Sequence, residues 1–300
     1  MLGSGRPAAS PDEQPVPIAS VAKVMTAYLT LERYPIGSAQ QGFTITITPA
    51  EAREAAQDQA EGQSVVEVAA GEQLTERQLL EGLLIPSGNN IAQLLATVIA
   101  GNQARFVANM NAQARALGMA HTTYTDPSGF DPSTVSTAID QLRLFQRAMR
   151  FAVLRQIVAM DDVTLPVAGT LRNFNPLAFA GYAGKTGSDS AAGGCLAFFT
   201  EVTVAGRSQT AVGVVLGQGH GNDTEALLIA AGQAAEELVG SATSTSDARR
   251  ARPTRQAAAD DRPPAVDAAS RSVASATTLT LKRSQPQEQR WIETDGPWPH

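Results

Sequence analysis

Two apolar runs, residues 194–204 and 209–216, are separated only by Ala205-Gly206-Arg207. Runs of this length on either side of a short glycine-containing turn predict a β-hairpin. A bare hairpin is marginal in water, so other elements have to cover it. Residues 224–239 follow as a closing amphipathic helix. At the other end, residues 20–33 predict the first helix, with serine at its start, good helix formers after it, and Pro35 and Gly37 beyond.

Between these ends the chain alternates strand and helix signals. Thr44-Ile-Thr-Ile-Thr48 has period two and reads as a short strand, and residues 64–68 read as another. Thr75 with Gln78 forms a capping-box pattern opening a helix that stops before Pro86. Residues 89–100, 103–117 and 136–159 are helical in pattern, the last broken into two pieces. The expected class is α+β: an antiparallel sheet flanked by the first and last helices, plus a helical subdomain.

A hydrophobic content of 43% over 300 residues allows a sizeable core in one large or two small domains. The net charge of -6 speaks against general nucleic-acid binding. Cys195 is the only cysteine, which excludes an internal disulfide and suits a small buried hydrophobe. His121, His220 and His300 lack metal-ligand spacing, so neither metal nor cofactor is expected. No run approaches the ~18 apolar residues of a membrane span. Residues 1–19 hold no apolar signal-peptide core.

Residues 1–17 read as a polar lead-in and 18–240 as one globular unit. Residues 241–300 read as a disordered Ala/Ser/Arg/Pro-rich tail, because such a composition cannot bury enough surface to offset ordering entropy. Within that tail, Thr278-Leu-Thr-Leu281, Trp291 and Trp298 leave room for a docking strand or peptide motif.

Three strings carry chemistry. Ser20-Val-Ala-Lys23 places a hydroxyl and an amine three positions apart, on one helical face and about 5–6 Å between Cβ atoms. A lysine can activate a serine if burial and nearby cations lower its pKa. Apolar neighbours on both sides put Lys23 among buried residues, and Lys185 is a candidate cation. Ser87-Gly-Asn89 follows Pro86 on a loop. Ser87 suits proton relay, and Asn89 suits binding of a substrate amide together with the lysine. Lys185-Thr186-Gly187, followed by Ser188, precedes the hairpin. A strand edge there suits pairing with a peptide, and Lys185 and Thr186 suit a carboxylate. Taken singly, each string also reads as ordinary capping or turn chemistry. In this order and on these elements they describe one site.

The set S-x-x-K, S-G-N, K-T-G resembles that of the D-alanyl-D-alanine carboxypeptidase family of low-molecular-mass penicillin-binding proteins. The likeness extends to Pro17-Ile-Ala-Ser20-Val-Ala-Lys23-Val-Met-Thr-Ala, Pro86-Ser-Gly-Asn-Asn90-Ile-Ala, Asp126-Pro-Ser-Gly-Phe-Asp131, Arg172-Asn-Phe-Asn-Pro-Leu177 and Gly184-Lys-Thr-Gly-Ser188. It covers roughly residues 15–240. It implies a serine β-lactamase/DD-peptidase-like fold and an acyl-enzyme on Ser20, with terminal D-alanine leaving a peptidoglycan stem peptide. Lys23 would be the general base. Ser87, Asn89 and Lys185 would support proton transfer and placement, and Thr186 would help bind the carboxylate. The oxyanion hole would be the N–H groups of Ser20 and Ser188, with Gly187 between strand and substrate. β-Lactams would acylate Ser20. Action outside the cytoplasm is expected.

Gly88 stands where a class A β-lactamase carries aspartate, and no E-x-x-L-N string lies between Asn89 and Lys185. A non-catalytic binding protein of the same fold is the other alternative. The family resemblance also implies strands ahead of the serine, whereas 19 residues precede Ser20, so a truncated start and an exposed sheet edge are expected. No obvious arginine follows the last strand to hold the carboxylate. His220 is the substitute on offer.

Overall fold

The computed structural model describes residues 8–9, 14–204, 206–251 and 276–283. Strands β1 (Ala8–Ala9) and β2 (Val16–Pro17) precede a 3-10 turn, Ala19–Ala22, which runs into α1 (Lys23–Arg33). Next come β3 (Thr44–Thr46), α2 (Pro49–Ala60), β4 (Gln73–Thr75), α3 (Glu76–Leu84), α4 (Asn89–Ala100) and α5 (Gln103–Ala116). Then follow β5 (Val135–Ser136), α6 (Ala138–Ala148), α7 (Ala152–Ile157), β6 (Asp162–Leu165) and β7 (Gly169–Arg172). A second 3-10 turn, Ala178–Ala180, leads to β8 (Ala183–Asp189), β9 (Gly193–Val204), β10 (Arg207–Gln218), α8 (Thr224–Ala251) and β11 (Ala276–Arg283).

The main sheet is antiparallel, in the order β1-β11-β10-β9-β8. The expected hairpin is β9–β10, with Val204 opposite Arg207. Its residues alternate between two cores. Cys195, Ala197, Val212, Val214 and Leu216 join the main core, whereas Leu196, Phe198, Ala211 and Val215 pack with Ala231, Ala235 and Val239 of α8. Successive side chains point to opposite faces, and here both faces are covered, so the strands read as unbroken apolar runs. Cys195 is fully buried, and burial pushes its thiol up to about 12, so it packs as an inert hydrophobe.

The α+β class holds, but the flanking differs from expectation. The last helix covers one face of the sheet. The other is covered mainly by α6 and by the 3-10 turn, while α1 sits deeper, against α3, α4 and α6. Every residue from Lys23 to Leu31 is buried, which is why this helix shows apolar residues on all sides.

Several expectations need correction. Residues 49–60 form α2, which was not foreseen. Thr48 and Glu51 make a capping box, and Pro49 opens the helix. Residues 64–68 belong to no strand, and at Val66 a side chain supplies the pairing: Val66 N–H donates to Asn90 Oδ1, and Asn90 Nδ2 donates to Val66 O. The tail is not disordered from residue 241, since α8 continues to Ala251. Thr243 and Ser244 satisfy their hydroxyls on the helix's own carbonyls at Val239 and Gly240, so small polar residues extend a helix already anchored by packing. The Thr278-Leu-Thr-Leu281 run lies in β11, which pairs with β10 and covers the edge expected to be bare. Trp291, Trp298 and the start of the lead-in lie outside the described residues. Among the described residues, no helix is long and apolar enough to cross a membrane.

Candidate active site

The 3-10 turn brings Ser20 and Lys23 together. Side chains at i and i+3 eclipse in this geometry, more closely than in the α-turn expected here. Ser20 is not spent as a cap, because the turn's N-cap is Ile18 and makes no side-chain bond. Lys23 Nζ lies 2.6 Å from Ser20 Oγ, 2.7 Å from Asn89 Oδ1 and 3.1 Å from the Ser128 carbonyl oxygen. Ala19, just before the nucleophile candidate, holds φ 43, a left-handed conformation costly for a residue with a Cβ.

Lys23 is fully buried. Burial lowers its pKa well below the ordinary value, the charge of Lys185 lowers it further, and Asp126 opposes both. Burial also lowers Lys185, to about 7. Lowering the pKa of Lys23 favours the free amine, the form a base requires.

The loop between α3 and α4 carries the second string. Ser87 holds φ 64, and its Oγ accepts from Lys185 Nζ at 3.0 Å. Gly88 is confined: a Cβ there would lie 2.8 Å from Val66 Cγ2 and 3.1 Å from Gly82 O. Asn89 opens α4, with its backbone N–H donating to Ser64 O at 2.7 Å.

The third string lies in β8, which pairs with β9 through Thr186↔Leu196, Gly187↔Cys195 and Ser188↔Gly194. Among the described residues no strand pairs with its other side, leaving main-chain groups for an extended peptide. Gly187 lets β8 press against the 3-10 turn, since a Cβ there would stand 2.9 Å from Ser20 N and 3.0 Å from Ile18 O. Thr186 and Lys185 are buried, and Lys185 Nζ also donates to Thr186 O at 2.8 Å. Ser188 is half-buried beside them. The eight residues Ser20, Lys23, Ser87, Asn89, Lys185, Thr186, Gly187 and Ser188 thus converge from three separate segments. His220 is exposed on the loop between β10 and α8.

Two contributors went unassigned in the sequence. The Asp126 carboxylate accepts N–H bonds from Ser128 (2.7 Å), Gly129 and Asp131 (2.5 Å), and so shapes the loop whose Ser128 carbonyl meets Lys23. Gly129, at φ 78, lies where a Cβ would be 1.9 Å from Ala19 O. The motif Asp126-Pro-Ser-Gly was visible, but its contact with Lys23 spans 105 positions. Gln63 accepts from Asn89 Nδ2 at 2.9 Å, and no local signal marks it.

Such a site can transfer an acyl group: a hydroxyl beside a buried amine, a second hydroxyl bridged to a second lysine, and a free strand edge. Comparison with known proteins agrees. The profile of the D-alanyl-D-alanine carboxypeptidase family matches residues 8–219. A D-alanyl-D-alanine carboxypeptidase of Mycobacterium tuberculosis is 37% identical over 169 residues, 55% of this chain and 54% of that protein. A D-alanyl-D-alanine endopeptidase of Pseudomonas aeruginosa is 32% identical over 198 residues, 62% of this chain and 60% of that protein. The chain therefore spans about half to three fifths of the length of these curated relatives. The Streptomyces K15 DD-transpeptidase superposes with a TM-score of 0.63 at 26% identity, covering 76% of this chain and 88% of that one.

Proposed function

The chain belongs to the D-alanyl-D-alanine carboxypeptidase family, and from that premise we propose that it removes the terminal D-alanine of peptidoglycan stem peptides through an acyl-enzyme on Ser20. The observation that carries this reading is the 2.6 Å contact between Ser20 Oγ and the buried Lys23 Nζ. Neutral Lys23 takes the Ser20 proton as Oγ bonds to the carbonyl carbon of the penultimate D-alanine. The scissile C–N bond then breaks. The departing nitrogen receives a proton through Ser87, which Lys185 holds in place, and D-alanine leaves. Water attacks the ester, its proton passes to Lys23, the bond from the carbonyl carbon to Oγ breaks, and Lys23 returns that proton to Oγ, regenerating Ser20.

Placement follows from the same contacts. The substrate backbone pairs with β8, its carboxylate lies at Lys185 and Thr186, and the oxyanion faces the N–H groups of Ser20 and Ser188. A β-lactam presents the same groups and acylates Ser20. The substrate places the working protein outside the cytoplasm. The crowding around Gly88 weighs against the aspartate of a class A β-lactamase.

The test measures D-alanine release from a D-Ala-D-Ala peptide and covalent labelling by a fluorescent penicillin, with Ser20→Ala as control. Release and labelling in the wild type, both lost in Ser20→Ala, are expected. Unchanged release by Ser20→Ala would sink the nucleophile assignment. A wild type that neither releases D-alanine nor takes the label would instead be a binding protein of this fold. A cross-linked peptide in the same assay reads endopeptidase activity, the activity named for the Pseudomonas relative.

A further inference from the structure

Hydrogen bonds continue beyond Asn89, away from the nucleophile. Asn89 Nδ2 donates to Gln63 Oε1 at 2.9 Å, and Gln63 Nε2 donates to Asp58 Oδ1 at 3.0 Å. Asp58 is buried at the end of α2. An unbroken line therefore runs Asp58, Gln63, Asn89, Lys23, Ser20.

The two middle members are primary amides, each with one donating and one accepting end. Their direction is set from Asp58. An ionised carboxylate only accepts, so Gln63 turns its nitrogen to it. The Gln63 carbonyl then faces Asn89 and selects the Asn89 nitrogen. Asn89 is left with its carbonyl on Lys23. Flipping either amide would oppose two N–H groups or two oxygens.

The backbone holds this line in register. At the end of α2, Gly62 N–H donates to Gln59 O and Gln63 N–H donates to Asp58 O, both at 3.0 Å. Gly62 takes φ 81, completing a Schellman motif that fixes Gln63 beside Asp58. On the other side, Ser64 O accepts from the Asn89 N–H, and Asn90 grips both backbone groups of Val66.

We propose that Asp58 and Gln63 are positioning residues for the base: they lock the Asn89 amide with its carbonyl toward Lys23. The proposal rests on the reading of Lys23 as the base of Ser20. When Lys23 takes the serine proton, the new ammonium meets an acceptor already in place, with no reorganisation. The charged groups acting on Lys23 are Lys185 on β8 and Asp126 on the loop before β5. At Asp58, burial raises the carboxyl's pKa, the neutral amide of Gln93 on α4 lowers it, and the charge of Glu61 raises it.

The experiment follows the Lys23 titration by NMR of 13Cε-lysine, and acylation by a fluorescent penicillin, in the full chain. Gln63→Met keeps the length and removes both polar ends. Asn89 is then free to flip, and an N–H facing Lys23 disfavours the ammonium. The Lys23 midpoint falls by about one pH unit and acylation slows about tenfold. Gln63→Glu retains an oxygen for Asn89, and a proton shared with Asp58 replaces the lost N–H, so the net charge of the pair is unchanged and the midpoint stays. A fall in Gln63→Met with none in Gln63→Glu is the expected result. An unmoved Lys23 midpoint in Gln63→Met, or an equal fall in both, overturns the proposal. Should Gln63→Met fail to fold, Asp58→Asn gives the same reading: a smaller fall supports the proposal and no fall overturns it. The titration does not depend on turnover. A wild type that takes no penicillin while the midpoints still shift supports the positioning role and overturns the carboxypeptidase reading.

Discussion

Lys185 places its Nζ 3.0 Å from the hydroxyl of Ser87, 98 positions away, and both residues are buried. With Lys23 buried as well, the site holds two lysines where water cannot solvate them. Burying an amine this way costs stability, and the tightly packed helices and sheet around it must offset that cost. Strain adds to it: Ala19 and Ser87, one on each side of the cleft, are non-glycine residues with positive φ. The machinery is therefore destabilising where it stands, and removing parts of it has predictable signs.

Lys185→Met should stabilise the fold while abolishing acylation. Burial lowers Lys185 to about 7 from the ordinary 10.5. Between those values the unfolded chain carries a proton that the native state lacks, so wild-type stability rises with pH. Below about 7 both states are protonated and the full penalty applies. The gain from Lys185→Met is thus largest near pH 6 and shrinks toward pH 10. Urea unfolding at the two ends should show the gain differing by on the order of 4 kcal/mol. A gain independent of pH would show that Lys185 is not held deprotonated by burial.

Asp126→Asn should move the acid limb of penicillin acylation to lower pH. The Asp126 charge raises the pKa of Lys23 against burial and Lys185, so its removal lets the amine lose its proton earlier. The amide also has one oxygen where the carboxylate uses two, leaving the N–H of Ser128, Gly129 or Asp131 without its acceptor. A loss of about 1–3 kcal/mol in stability accompanies the shift. Rate profiles against pH, normalised to the active-site titre, separate the two effects. An acid limb that stays put would refute the electrostatic part.

What could be read from the chain beforehand follows a physical division. Ser20 with Lys23, and Thr75 with Gln78, announce themselves because their partners lie three positions away. The β9–β10 hairpin is legible because both faces are buried and the apolar runs are long. Helix α2 escaped because only Ala55 and Asp58 are buried along it, so no apolar stripe marks its period. β11 is legible only as room for a docking strand or a peptide motif within a tail read as disordered, because a composition window averages its Leu279 with polar neighbours. Gln63 and Asp58 could not be found at all from sequence. Asp58 bonds Gln63, whose own partner Asn89 lies 26 positions further on, and only the folded backbone chooses it.

Gly129→Ala and Gly118→Ala make a matched pair. Both glycines have positive φ, 78 and 72, so each alanine carries a similar backbone cost of about 1–2 kcal/mol. Nothing lies within 4 Å of a Cβ at Gly118, whereas at Gly129 it would meet Ala19 O at 1.9 Å. Gly129→Ala must therefore push its loop off the 3-10 turn and carry the Ser128 carbonyl away from Lys23. Thermal unfolding should show the larger loss for Gly129→Ala, and acylation should drop in that variant alone. Equal behaviour of the two would mean that the loop does not support the base.

Leu279→Ala tests the strand that sequence composition hid. Leu279 is 3% exposed and packs in the second core with Phe198 and Val215, on the α8 side of the sheet. A Cβ on Gly213 would come within 3.0 Å of its Cδ1, so the leucine fills the space that glycine leaves. Truncating it should cost about 2–5 kcal/mol, read from urea unfolding. Lys185 shares the opposite, main-core side of the sheet with Ala197, and the turn carrying Ser20 packs on that core, so molecules that remain folded should acylate within about twofold of the wild-type rate. A cost under about 0.5 kcal/mol, the range of a surface substitution, would place β11 outside the packed core and return the edge of β10 to solvent.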